Sequence, residues 1–341
     1  MLNRIIYSVI FLALCWSVQG QDVHYSQFYN SPLNLSPGLT GVYDGNQRYH
    51  LNFKNQWNNP VGYNSFDIGA DFKLDQCGTK RNHLNLGGLI NYDQAGDLKL
   101  RATGINLLAS YTLGLGDNLD LTPGIQAGFV ARNFSWDNAL WPTTTGIQTP
   151  DNINNTSNSY FDLGAGLNLR YQTSFRNIFD LGAGLFHLNT PEVSFDANTT
   201  ADIQLGQKLN LYAMFQWPLA QKLDIWLNGM YSQQAVTAGA NTNYQEILLN
   251  AQGKIYLGDS MRKALYLGVG ARLSDTEGDG GTGLESIHPI IGLQLGNLRG
   301  EFNYDINTGK FKHAAIGGPE ISLMYNVSCI PPTECKPCPI Y

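Results

Sequence analysis

The heptapeptide FDLGAGL occurs twice, at Phe161–Leu167 and again at Phe179–Leu185. Half of a dinucleotide fingerprint is present in each copy, but the third glycine that such a loop needs is replaced by Leu169 or His187, and no amphipathic helix follows. Every second residue tells more. Phe161, Leu163, Ala165, Leu167, Leu169 and Tyr171 share one side; Tyr160, Asp162, Gly164, Gly166, Asn168 and Arg170 share the other. This is a β-strand with one apolar and one polar face. The second copy alternates in the same way, and the short polar TSFRN (Thr173–Asn177) between them reads as a hairpin turn.

The same test along the chain predicts about 14 strands, near 47–57, 63–74, 82–93, 100–113, 119–132, 158–172, 177–188, 207–217, 222–233, 244–257, 263–273, 286–296, 297–306 and 319–328. Period two does not by itself separate a soluble sandwich from a membrane barrel. Connection length does: the odd-numbered connections include the long ones (133–157, 189–206, 234–243, 274–285, 307–318), whereas the even-numbered ones are tight. Long loops at one end and short turns at the other are the pattern of an outer-membrane barrel, with the short turns in the periplasm. Charged residues make up 14% of the chain, against about 25% in an average soluble domain. The expected fold is therefore all-β, a transmembrane antiparallel β-barrel, with an outer face in contact with outer-membrane lipid. Tyr49, Trp57, Tyr111, Trp217, Tyr256 and Tyr325, near strand ends, are candidates for the aromatic girdles.

Four segments are expected. Residues 1–20 combine MLNR, an apolar run and Gly20 before Gln21, which reads as a cleaved signal peptide. Residues 21–45 do not alternate, carry Pro32 and Pro37, and are too apolar for a free tail; they are expected to lie in the lumen or across its periplasmic mouth. Residues 46–328 form the barrel, and residues 329–341 a periplasmic tail rich in Cys and Pro. Two prolines in succession, Pro331 and Pro332, prevent that tail from continuing a strand ladder.

The inward face mixes both signs. Asp67, Asp71, Lys73, Arg132, Asp162, Arg170, Asp180, Arg272, Arg299 and Glu301 are candidates for a charge network, which would either crosslink the lumen or solvate a water-filled interior. The six histidines are scattered without metal-ligand spacing, and His187 and Ser194 on one loop fix no catalytic geometry. No catalytic set, metal or cofactor is expected. The net charge of −6 and the lack of a basic stripe argue against a nucleic-acid partner. Cys77, Cys329, Cys335 and Cys338 fall on the periplasmic side, where structural disulfides are favoured over redox or zinc chemistry; four cysteines leave three pairings open.

HYSQFYNSPLNLSPGLTG followed by RYHLNFKNQW resembles the opening signature of the PorP/SprF family of type IX secretion outer-membrane proteins, and HLNTPEVSF and GGPEISLMYNV are similar to later blocks of that family. The resemblance implies a non-enzymatic barrel of Bacteroidota-type bacteria. It would act in export or surface anchoring of a partner such as an adhesin, in some species in gliding motility, and would dock to periplasmic secretion-machinery proteins. The alternative reading is a passive or substrate-specific channel for small solutes. The mixed-charge lumen and the 21–45 segment both favour a closed barrel.

Overall fold

The computed structural model describes residues 22, 24–56, 62–74, 82–96, 99–134, 156–195, 203–235, 243–258, 261–275, 282–308 and 317–328. The expected signal peptide, Trp57 and all four candidate disulfide cysteines lie outside these residues. Strands β1 (Gln47–Gln56), β2 (Tyr63–Lys73), β3 (His83–Ala95), β4 (Leu100–Gly114), β5 (Leu119–Asn133), β6 (Ser157–Ser174) and β7 (Asn177–Phe186) form one half of the wall. The other half is β8 (Lys208–Ala220), β9 (Leu223–Ala235), β10 (Asn243–Tyr256), β11 (Lys263–Asp275), β12 (Thr282–Leu295), β13 (Leu298–Asn307) and β14 (Gly318–Val327). Each strand pairs antiparallel with its chain neighbours, and β14 closes on β1 with Gln47 opposite Val327, so the sheet has no edge. Closure removes the two free edges whose amides and carbonyls would otherwise meet lipid unpaired.

Alternation decides what each face meets. On β2, Asp67 and Asp71 are buried while Ile68 between them is exposed. On β6 and β7, Phe161, Leu163, Leu167, Phe179 and Leu181 form part of an apolar outer belt. Tyr49, Tyr111, Trp217 and Tyr325 lie on this outer face; Tyr256 does not, because it shares the inward phase of Gln252 and Lys254 and is buried. Prolines interrupt the ladder locally. The β4–β5 pairing skips from Ser110–Gly124 to Leu113–Leu121 around Pro123, and the β12–β13 pairing skips from Ile287–Ile306 to Ile290–Asn303 around Pro289.

Small barrels of about eight strands are filled by their own side chains; at about 16 strands the lumen is an aqueous channel. Fourteen strands enclose more space than side chains alone can fill. The N-terminal segment occupies it. It runs as a 3-10 turn (Phe28–Asn30), a four-residue helix α1 (Pro32–Leu35) and a second 3-10 turn (Pro37–Leu39), nearly all of it buried inside the barrel. Proline at the first position of α1 and of the last turn forfeits no hydrogen bond, since those amides have no partner within the turn. The segment leaves the lumen at Asp44 and Gly45 beside the start of β1, on the short-turn end; its other end, Asp22, lies among residues of the long-loop end.

Candidate functional site: a plugged lumen

The seat of the plug explains the repeated heptapeptide. Across β5, β6 and β7, Gly124 pairs with Gly166 and Gly166 with Gly184, giving a lateral row of three lumen-facing glycines. The plug backbone at Leu35–Gly38 lies against that row. A Cβ on Gly166 would sit 2.7 Å from Gly38 N, one on Gly124 2.9 Å from the same atom, and one on Gly184 3.0 Å from Ser36 Cα. Ser36 Oγ donates to Ala183 O at 2.7 Å, and Asn210 Nδ2, next in the row, donates to Leu35 O at 3.1 Å. Because β6 and β7 are antiparallel, the two heptapeptides run in opposite directions. Asp162 therefore lies toward the long-loop end and Asp180 toward the short-turn end, with the paired glycines between them.

The opposite wall grips the plug by charge. Ser26 and Gln27 donate their backbone amides to the two oxygens of Glu320, each at 2.8 Å, and Ser26 Oγ donates to Asp305 at 2.8 Å. Lys54 Nζ, 3.3 Å from Asp305 and 3.8 Å from Glu320, also reaches His24 O and Ser26 Oγ, both at 3.2 Å. Arg272 donates to Ser26 Oγ at 2.6 Å and lies 3.5 Å from Asp305, 3.6 Å from Glu285 and 3.9 Å from Glu246. Charge-assisted bonds of this kind are the strong ones, and removing one partner of a buried set costs about 3–5 kcal/mol. Apolar contacts add to the grip: Phe28, Leu35, Leu39 and Val42 cluster with Tyr212, Met230 and Leu248, and Leu33 packs with Leu89 and Leu108.

The other inward charges also serve the plug or one another. Asp67 accepts from Ser31 Oγ at 2.8 Å and Asn52 Nδ2 at 2.9 Å. Asp71 accepts from Gly41 N at 2.7 Å and takes both arms of Arg48 at 2.9 and 2.8 Å, while Arg48 Nη2 also reaches Leu39 O at 2.9 Å. Lys73 Nζ donates to Tyr43 O at 2.6 Å. Tyr29 OH donates to Glu301 at 2.8 Å, and Arg299 bonds Asn30 Oδ1 and lies 3.4 Å from Glu301. Arg170 and Asp180 form a two-armed pair with both bonds at 2.8 Å. Arg132, at the end of β5, stands apart. It donates to Val193 O at 3.4 Å and stacks over Phe195, because the strand has there left the lumen for the loops.

At the long-loop end His187 sits between two carboxylates, Asp162 at 2.9 Å and Asp22 at 2.7 Å, with Lys208 3.8 Å from Asp22. Burial alone would lower the imidazole's pKa, but the Asp22 charge and the Asp162 hydrogen bond outweigh it and hold it up at about 10. Burial likewise opposes ionisation of Asp22, yet His187 and Lys208 hold its carboxyl well below the usual range. Both ring nitrogens are occupied, so His187 offers no free lone pair for base catalysis. Among the described residues no group of His, Cys, Asp and Glu side chains is arranged to hold a metal ion.

Glu320, Asp305, Glu285, Arg48 and Asp22 were not among the ten charges singled out from sequence. Arg48, Asp305 and Glu320 carry a readable signal, the inward phase of β1, β13 and β14; Asp22, in a segment without period, carries none.

A closed, lipid-belted barrel whose lumen is occupied by its own N-terminal segment is a plugged outer-membrane β-barrel. The fold is shared with solved structures of low sequence identity. A Pseudomonas aeruginosa FadL homologue matches with a TM-score of 0.52 at 9% identity, over 85% of this chain and 92% of that one. The deltaS2S3 mutant of the TodX monoaromatic hydrocarbon channel matches with a TM-score of 0.50 at 8% identity, over 86% and 93%. No curated protein matches the chain in sequence. The family described as type IX secretion system membrane protein PorP/SprF matches residues 17–325, and the chain belongs to that family.

Proposed function

We propose that this protein is a non-conducting, non-enzymatic station of type IX secretion in the outer membrane. It would hold an exported surface protein, such as an adhesin, at its long-loop end and engage periplasmic secretion components at its short-turn end. The observation that carries this reading is the plug: backbone amides, hydroxyls and carboxamides of residues 26–41 are bonded to buried wall charges from β1, β2, β11, β13 and β14. A solute channel would have to break this network at each opening, whereas a docking platform has use for a rigid filled lumen. The Cys/Pro-rich tail at 329–341, which would leave β14 on the periplasmic side, is assigned to the periplasmic contact, restrained by disulfides among Cys77, Cys329, Cys335 and Cys338.

Copurification from native membranes after crosslinking, with mass spectrometry of the partners, tests this. An exported surface protein and a periplasmic component are expected, and deletion of residues 330–341 should lose the periplasmic component while leaving a heat-modifiable barrel. A deletion strain with normal surface display and only a defect in solute uptake would reject the reading in favour of the channel.

A further inference from the structure

Below the plug, a cavity of about 350 Å³ opens to the short-turn end, where the turn residues Gly296 and Asn297 and the strand-end residue Ser328 form part of its rim. One wall is aromatic. Trp226 and Tyr266 meet edge to face at 5.4 Å between centroids, and Tyr256 flanks them. Lys254 Nζ lies over all three rings, 5.3 Å from Trp226, 5.0 Å from Tyr256 and 5.5 Å from Tyr266. The ring hydroxyls are committed elsewhere: Tyr256 OH donates to Asp224 at 2.6 Å and Tyr266 OH to Gln294 at 2.8 Å.

The other cations facing this cavity are matched. Arg48 is held by Asp71, Arg170 by Asp180 and Arg299 by Glu301. Nearby Asp224 is paired with Arg176. Lys254 lines the cavity, is 8% exposed, and among the described residues has neither a hydrogen bond nor a carboxylate at ion-pair distance. Ring faces attract an ammonium, but they do not supply the counter-charge whose absence makes buried ions costly. Of the cations lining the cavity, Lys254 is thus the one without a carboxylate at ion-pair distance among the described residues; Asp44, the other acid of the lining besides Asp180, acts on it only at longer range. Beside it stand Phe175, Ile178, Met214 and Met261, an apolar flank.

We propose that this cavity is a binding site for an apolar monocarboxylate, the C-terminal residue of a peptide presented from the short-turn side. Its carboxylate ion-pairs with Lys254 and its side chain lies on the apolar flank. A monocarboxylate supplies the one contact partner that Lys254 lacks, whereas a phosphate dianion would add more negative charge beside Asp44 and Asp180, and the cation–aromatic cluster holds the ammonium ready without satisfying it. The peptide end has two sources, the part of this polypeptide that follows Ser328 or a separate polypeptide.

Calorimetric titration of the purified protein tests the site, with N-acetylphenylalanine and its uncharged amide as probes, on the full chain and on a chain ending at Ser328. The acid should bind and the amide bind at least about tenfold more weakly, the usual weight of a partly buried charge-assisted bond. Lys254→Met should weaken the acid by about the same factor, and Lys254→Arg should retain it. Acid binding that appears only in the shortened chain assigns the site to the protein's own C-terminus; equal binding in both assigns it to an external peptide. Equal affinity for acid and amide, binding indifferent to Lys254→Met, or no binding to either chain overturns the proposal, and the acid–amide contrast stands even where a variant fails to fold.

Discussion

Gly166 of the wall and Ser36 of the plug are in contact with no room for a side chain between them: a Cβ on Gly166 would press on Ser36 Oγ and lie 2.9 Å from Pro37 Cδ and 2.7 Å from Gly38 N. Two pieces of backbone therefore pack face to face in the middle of the barrel, and the glycine is the condition for it.

Substitution at Gly166 should loosen the plug without touching the lipid face. Gly166→Val is expected to cost about 1–3 kcal/mol by overpacking and to raise proteolysis of the 24–43 segment in a barrel that still assembles. Gly88→Ala, where nothing lies within 4 Å of the added atom, should leave proteolysis unchanged. Equal protection in Gly166→Val would mean that the plug does not rest on this row.

The long-loop end of the plug should respond to alkali. The His187 pKa is raised from its ordinary 6.5 to about 10, so its contribution is complete below about 6.5 and lost as pH rises through about 10. Asp22 is shifted down, so its contribution persists above the ordinary carboxylate range and is lost only in strong acid. Hydrogen exchange at residues 24–30 should hence be slow near about pH 7 and rise steeply by about pH 11, beyond the intrinsic rate increase. His187→Gln should exchange faster at neutral pH and lose the extra step; an unchanged step in that variant would remove His187 from the account.

Two neighbouring residues on β7 should fail differently. Leu181 is 48% exposed on the outer belt, and Leu181→Arg should block assembly, since a cation at mid-membrane in a barrel costs about 2–4 kcal/mol. Asp180→Asn should insert, yet it unpairs Arg170 and should lower thermal stability by about 3 kcal/mol or more. Assembly of Leu181→Arg at wild-type yield, scored by heat modifiability on gels, would contradict the assigned face.

Strand positions were legible because lipid and lumen impose opposite chemistry on alternate residues, and the observed ends differ from the expected ones mainly where that rule is broken. β7 stops at Phe186 because His187 turns to φ 56°, a conformation no strand continues. β12 begins at Thr282 rather than near 286, since Glu285 is an extra residue between Leu284, opposite Leu273, and Ser286, opposite Arg272, and this bulge shifts the phase. The plug was visible as a segment without period. Its partners were not, because Ser26 and Glu320 are 294 residues apart and only closure of the barrel brings them together. The repeated heptapeptide was legible as strand, but its glycines became a seat only once the plug lay against them.

The central claim is that the lumen is sealed by residues 22–43, and planar-bilayer conductance of the purified protein tests it most directly. The full chain should show no steady conductance, and a chain lacking residues 24–43 should show large, stable, ohmic openings. A large steady conductance from the full chain, unchanged by removing the segment, would contradict the account.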